Sequence, residues 1–245
     1  TNTDDSGLVG IERQFEEYLS GKDGWIVKQV NVAGRTGSFH KANYPKQDPD
    51  DGSNIQLTID LEYQSILQEE LQRRIDESGA KGAMGVLMDP QNGDILAMAS
   101  LPDFDLNNPN MTPLENQKNK VITDQFEPGS TFKIVAATAA LNTGKVSLND
   151  EFNCEVGKFE FDGWTISDHE KFGVLTFPQI IANSSNVGVI KIAQIIGKEP
   201  LYRLSRNYGF GTHTGISFPG ESQGILRQKK DWSKMSLASV SIGYE

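Results

Sequence analysis

One stretch constrains this chain more than any other: Phe126-Glu127-Pro128-Gly129-Ser130-Thr131-Phe132-Lys133, followed by an apolar run over residues 134–141. Pro128 and Gly129 break whatever precedes them, and Ser130 is a residue type suited to a helix start. From Thr131 onward nearly every side chain is apolar or small, until Asn142-Thr143-Gly144 supplies a stop. A helix that is apolar on all sides belongs inside a fold. Lys133 is then the anomaly, because lysine is among the residues least often buried.

Residues three apart on a helix share a face, so the spacing predicts that Ser130 and Lys133 touch. A serine hydroxyl becomes a nucleophile when a base takes its proton, and a lysine can be that base only when neutral. Bringing a lysine from about 10.4 to about 7 requires roughly 4 kcal/mol. A helix dipole contributes at most ~2 kcal/mol, whereas burial can move a lysine by ~3–5 pH units. Phe126, Phe132, Ile134 and Val135 provide apolar surroundings for that burial. Taken alone, the stretch is equally well read as a capping serine with a snorkelling lysine. Ser-x-x-Lys also recurs at Ser38-Phe39-His40-Lys41, in a Gly- and Pro-rich stretch, and at Ser78-Gly79-Ala80-Lys81, at the end of a polar helix.

The 245 residues suffice for one large domain with a small companion, and 37% hydrophobic with 23% charged residues is a globular composition. A net charge of −10 without a Lys- or Arg-rich block argues against a nucleic-acid partner. The single cysteine, Cys154, excludes an internal disulfide and a cysteine-based zinc cluster. Neither a signal peptide nor an apolar run of membrane-spanning length is present, so the expectation is a soluble form from which any tether is absent.

Leu8, Ile11, Phe15 and Leu19 have helical spacing, ended by Gly21 and Gly24, and residues 25–32 alternate like a strand. Residues 33–53 are turn-formers and mark a domain boundary. A strand is expected at 55–59, then a helix at 61–77 capped by Asp60, with Tyr63, Leu67, Leu71 and Ile75 as its apolar stripe. Residues 85–88 and 95–98 flank Asp89-Pro90-Gln91-Asn92-Gly93 as a hairpin, and 101–119 reads as a loop. Residues 149–173 are mixed and turn-rich. Residues 175–197 predict two helices meeting at Asn183-Ser184-Ser185-Asn186, the first capped by Thr176 or Phe177 with Pro178 in its first turn. That polar junction is either solvent-facing or functional, since unpaired buried polar groups cost ~1–3 kcal/mol each. The glycine-rich residues 209–220 lack a phosphate-loop ending. Strands with helices over them predict an α+β fold, an antiparallel sheet covered by helices.

Ser-x-x-Lys followed by Ser-x-Asn is a pairing found in penicillin-binding proteins and serine β-lactamases. The ordered series here closely resembles the class B penicillin-binding proteins over nearly the whole chain. Gly7-Leu8-Val9-Gly10-Ile11-Glu12 and Tyr18-Leu19-Ser20-Gly21 look like the segment ahead of the catalytic domain. Leu57-Thr58-Ile59-Asp60 and the run from Asp89 through Met98 match the domain's opening. Glu127-Pro128-Gly129-Ser130-Thr131-Phe132-Lys133 matches the nucleophile motif, and Ser184-Ser185-Asn186-Val187-Gly188 the second motif. Gly209-Phe210-Gly211, Pro219-Gly220-Glu221 and Ser241-Ile242-Gly243-Tyr244 follow in order. Ser147-Leu148-Asn149 and Ser205-Arg206-Asn207 fit Ser-x-Asn but fall outside that order.

The resemblance implies a penicillin-binding/serine β-lactamase-like transpeptidase domain over 55–245, preceded over 1–54 by the end of an α/β pedestal and its linker. It implies a peptidoglycan D,D-transpeptidase that acts at the extracytoplasmic membrane face alongside other cell-wall synthesis proteins, without a cofactor or metal. Its implied substrate is the D-Ala-D-Ala stem peptide, with β-lactams as covalent inhibitors. Ser130 would be the nucleophile, Lys133 its base and Ser184 a proton relay, with Asn186 and Ser185 at the substrate. The family's third motif, Lys-Ser/Thr-Gly, has its place after Glu245. Arg35-Thr36-Gly37 and His213-Thr214-Gly215 occupy the wrong positions for it. The expectation is therefore a transpeptidase domain lacking its C-terminal part, which labels poorly with penicillin when alone. A serine β-lactamase and a non-catalytic penicillin-binding sensor or scaffold are the alternatives. The segment over 7–33 speaks against the first, and the presence of all four motif residues against the second.

Overall fold

The structure is a computed structural model, in which residues 6–27 and 44–245 are described. It divides into two compact units, Thr1–Thr123 with Ile216–Glu221, and Asp124–Gly215 with Ser222–Glu245.

In the first unit, α1 (Gly10–Gln14) and α2 (Glu16–Leu19) replace the single expected helix, because Phe15 between them leaves helical geometry. Ile11, Phe15 and Leu19 are each half-buried, while Leu8 is exposed. Strand β1 (Trp25–Ile26) pairs antiparallel with β2 (Lys46–Gln47). The rest of the predicted strand over 25–32, together with Ser38, Lys41 and Arg35-Thr36-Gly37, lies outside the described residues, apart from Val27, whose N–H donates to Pro45 O. β2 is a correction to a segment read only as turn-forming.

The strand expected at 55–59 does not form. This segment meets the edge of β4 (Ile95–Leu101) through two bonds, Thr58 Oγ1 to Ile95 O and Asp60 N to Leu96 O. Asp60 caps α3 (Leu61–Ser78) as expected, accepting from the N–H groups of Glu62 and Tyr63 at 2.9 and 3.2 Å. The inward face of α3 carries Leu67, Leu71 and Ile75, but Gln64 stands where Tyr63 was expected. Gln64 pairs with the backbone of Met98 as another strand would, donating to its carbonyl at 2.9 Å and accepting from its N–H at 2.8 Å. β3 (Ala83–Met88) and β4 form the expected hairpin, with a register shift at Leu87/Met88. Opposite residues Gly85 and Ala99 leave room for α3, whose Leu67 and Leu71 lie against Gly85. The 101–119 loop contains two 3-10 turns, and α4 (Lys120–Thr123) follows with Ile122 buried.

In the second unit, α5 (Lys133–Asn142) is followed by two antiparallel strand pairs, three of whose strands lie in the 149–173 segment read as mixed while the fourth reaches into the first predicted helix. β5 (Glu151–Asn153) pairs with β8 (Val174–Thr176), and β6 (Lys158–Phe161) with β7 (Trp164–Ser167). α6 (Phe177–Ala182) starts at Thr176, whose N–H donates to Gln179 Oε1. α7 (Asn186–Ile196), α8 (Lys198–Asn207) and α9 (Lys234–Ser241) complete the unit.

The core is built round α7. Its Val187, Val189, Ile190, Ile192, Ala193 and Ile196 are all 3% exposed or less. α5 is buried only on the face carrying Lys133, Val135, Ala136, Ala139 and Ala140; Ile134 and Leu141 are exposed, so the all-round burial expected of this helix does not hold. Gly188 admits Ile180 of α6, since a Cβ there would lie 2.7–2.8 Å from three Ile180 side-chain atoms. In Gly188→Ala, a helix-propensity gain of up to ~1 kcal/mol opposes an overpacking cost of typically ~1–3 kcal/mol against a fully buried neighbour. The variant is expected to lower the urea midpoint; an unchanged or higher midpoint would show that Ile180 can yield.

Candidate active site

Ser130 sits in a 3-10 turn, Gly129–Phe132, that runs directly into α5. The turn is fastened at three points. Thr131 Oγ1 donates to Pro128 O at 2.8 Å, and the Phe132 ring meets Phe210 edge-on with centroids 4.9 Å apart. Gly129 N donates to Gly243 O at 3.0 Å. At Gly243 the two backbones approach so closely that a Cβ would fall 2.0 Å from Gly129 O, and its φ of +85° also favours glycine. The Ser130 side chain is exposed, forms no hydrogen bond and caps no helix end.

Lys133 begins α5 one turn later and is 2% exposed. Its Nζ donates to Ser184 O at 2.5 Å, to Ser184 Oγ at 3.0 Å and to Asn186 Oδ1 at 2.7 Å. Three acceptors match the three protons of an ammonium group. Burial pushes its pKa from 10.5 down to about 8, against the opposing pull of the Asp168 charge. The amine makes no hydrogen bond to Ser130; its three bonds go to the second motif.

That motif occupies the junction of α6 and α7. Ser184 adopts left-handed backbone geometry, with φ of +52°, which takes its carbonyl out of the helical ladder and toward Lys133. Asn186, the first residue of α7, presents Oδ1 to Lys133, while its Nδ2 donates to Ser167 O at 2.9 Å. Ser185, expected at the substrate, is completely buried and is corrected here to a structural role. Its Oγ accepts from Gly188 N at 3.0 Å as the helix cap and donates to Asp168 Oδ2 at 2.7 Å.

Asp168 is the residue that sequence reasoning missed. It follows β7, and its carboxylate receives the Ser185 hydroxyl and the N–H groups of Asn186 and Val187. A signal for its placement exists in the sequence: Asp162-Gly163 is a two-residue hairpin turn between alternating Phe159/Phe161 and Trp164/Ile166. Both turn residues have positive φ, as such a turn requires.

Among the described residues, the remaining Ser-x-Asn and Ser-x-x-Lys matches are spent locally. Ser147 Oγ donates to Asp150, Ser205 Oγ to Leu201 O inside α8, and Ser78 Oγ to Arg74 O. Cys154 is buried beneath Ser185, 3.5 Å from its Oγ, and burial pushes the thiol's pKa up. A cavity of about 640 Å³ beside the nucleophile turn is lined by Phe126, Phe132, Phe210, Ile225, Leu226 and Tyr244, though not by Ser130 itself.

Comparison with known proteins places the chain in a family. The family described as the penicillin binding protein transpeptidase domain matches residues 83–245, and that described as the penicillin-binding protein dimerisation domain matches residues 1–57. A probable peptidoglycan D,D-transpeptidase, PbpC, of Pseudomonas aeruginosa is 37% identical over 243 residues, covering 99% of this chain and 42% of the relative. The peptidoglycan D,D-transpeptidase FtsI of Escherichia coli K12 is 33% identical over 244 residues, covering 100% and 40%. The apo transpeptidase domain of Burkholderia pseudomallei penicillin-binding protein 3 has a TM-score of 0.68 and 32% identity, covering 77% of this chain and 52% of that one. The chain thus spans about two fifths of the length of these curated relatives. With a transpeptidase match over more than half of its length, behind a dimerisation-domain match, the chain belongs to the class B penicillin-binding proteins.

Proposed function

We propose that the protein containing this chain is a serine D,D-transpeptidase that cross-links peptidoglycan stem peptides through an acyl-enzyme at Ser130. The observation that carries this reading is a buried lysine, its pKa lowered to about 8 by burial, one helical turn from an exposed serine. Neutral Lys133 takes the Ser130 proton as Oγ bonds to the carbonyl carbon of the penultimate D-alanine. The amide C–N bond breaks, and the terminal D-alanine leaves with a proton relayed through Ser184. An amine of a neighbouring strand then attacks the ester, forming the new amide and returning the proton to Ser130. Asn186 holds the lysine and meets the substrate amide. Hydrogen bonds between such partners are commonly loose before substrate binds, which accommodates an unpaired Ser130 Oγ here. A β-lactam follows the first half of the path, except that its leaving nitrogen stays tethered and the ester persists.

In this reading residues 1–54 close the pedestal domain and its linker, and 55–245 belong to the transpeptidase domain. The protein works on the extracytoplasmic face of the bacterial membrane, with other cell-wall synthesis proteins as partners. Among the described residues no helix is long and apolar enough to cross a membrane.

Fluorescent penicillin is expected to label the full-length protein on Ser130 in a stable ester, seen by peptide mass spectrometry, and Ser130→Ala to abolish labelling. Labelling that survives in Ser130→Ala removes the proposed nucleophile. Rapid turnover of the ester would instead indicate a β-lactam hydrolase.

The pH dependence has a definite sign. Lys133 acts in its deprotonated form, so the acylation rate should rise with pH through about 8 and level off above it. Lys133→Ala is expected to lower the rate by ~10²–10⁴-fold and to erase this acid limb. A rate that falls across the same range would assign the base elsewhere.

A further inference from the structure

Asn186 is held at both ends by a single two-residue step. Asp168 Oδ1 accepts its backbone N–H at 2.5 Å, and Ser167 O accepts its side-chain Nδ2 at 2.9 Å. Because a carbonyl oxygen can only accept, it must face the amide nitrogen, which leaves Asn186 Oδ1 for Lys133. The same carboxylate takes Val187 N–H at 3.0 Å and, through Oδ2, the Ser185 hydroxyl at 2.7 Å. It thereby satisfies two of the free N–H groups that open α7 and ties down the residue next to Ser184. Asp168 is itself anchored, since its N–H donates to Gly157 O at 2.9 Å. The step stands at the end of the β6–β7 hairpin, so a strand pair that carries neither motif sets the register of the second.

We propose that Asp168 is a positioning residue for acyl transfer, holding Ser184 and Asn186 in register on Lys133 and carrying a negative charge behind Asn186, the residue that accepts from the amine. This rests on the transpeptidase reading above. The charge opposes burial and keeps the Lys133 pKa from falling further. Of the other charged groups on the helices packed against α5, Arg203 of α8 and Lys234 of α9 are exposed to solvent, and Lys198 of α8 donates to Trp232 O. Lys191 of α7 pairs with Glu155, Arg206 of α8 donates to the carbonyls of Phe210 and Gly211, and Glu199 of α8 pairs with Lys229. Among the described residues, the Asp168 carboxylate is the charge that favours the Lys133 proton against burial.

The test is the penicillin acylation rate of the full-length protein across pH, for wild type, Asp168→Asn and Asp168→Glu, with thermal unfolding in parallel. Asp168→Asn keeps the shape and loses the charge. Its acylation midpoint should move to lower pH, because Lys133 loses a neighbour that favours its proton, and its plateau should fall roughly tenfold. Asp168→Glu restores the charge one methylene away, so its midpoint should return toward wild type while the plateau stays low. A wild-type midpoint and plateau in Asp168→Asn overturn the inference. So does a lowered plateau with an unmoved midpoint, which marks a purely structural role. Should Asp168→Asn fail to fold, Asp168→Glu decides: a low plateau with a wild-type unfolding temperature supports the inference, and either a wild-type plateau or a low plateau with a lowered unfolding temperature overturns it. A wild-type protein that never acylates at Ser130 defeats the transpeptidase reading, and this inference with it. A normally acylating wild type confines any failure to Asp168.

Discussion

The second unit depends on keeping one amine out of water. Holding Lys133 at about 8 rather than 10.5 costs the fold about 3 kcal/mol whenever the ammonium form is present. The cost is bearable because three oxygens, from Ser184 and Asn186, replace the lost water. Those oxygens must stay fixed, and the most deeply buried helix of the unit carries Asn186 at its first position. The α7 core thus serves as a mount for the lysine's acceptors as much as a source of stability.

Backbone geometry completes that arrangement. A carbonyl inside a regular helix already accepts from an N–H four residues on, and has little to offer a side chain. Ser184 stands between two helices in left-handed geometry, which for a residue with a Cβ costs about 1–2 kcal/mol. Such strain gathers at functional sites when the surrounding structure overdetermines it. Here the last turn of α6 holds the junction by two backbone hydrogen bonds, Ser184 N to Ile181 O and Ser185 N to Ile180 O. Among the described residues no buried side-chain polar atom lacks a partner, so the polar junction is fully satisfied within an apolar core.

Much of this was legible in the sequence, for identifiable reasons. Asp60 as a cap, the Asp89–Gly93 hairpin and the α6–α7 junction each rest on local chemistry that tertiary packing does not override. The Ser130–Lys133 pair was found as two residues, but spacing alone could not say which way the lysine would turn. Its partners lie more than fifty positions away in sequence. Ser185 was misplaced for a related reason: a serine one position from a motif residue can face the cleft or cap a helix, and the choice belongs to Asp168. Strands β5 and β8, only three residues each, have too few positions for alternation to register. Tyr63 lost its place in the α3 stripe to Gln64 because an open strand edge rewards paired hydrogen bonds over apolar area.

The hold of Gly243 on Gly129 is main chain against main chain. It uses no side chain, so it is indifferent to the identities of the residues beside it. Phe126 and Tyr244 flank the paired glycines, are 75% and 50% exposed, and form part of the wall of the adjoining cavity. Selection can therefore repaint that wall, altering what an arriving molecule meets, while the nucleophile turn keeps its seat. Recognition and reactivity are mechanically uncoupled at this edge of the site, and the two can drift at different speeds.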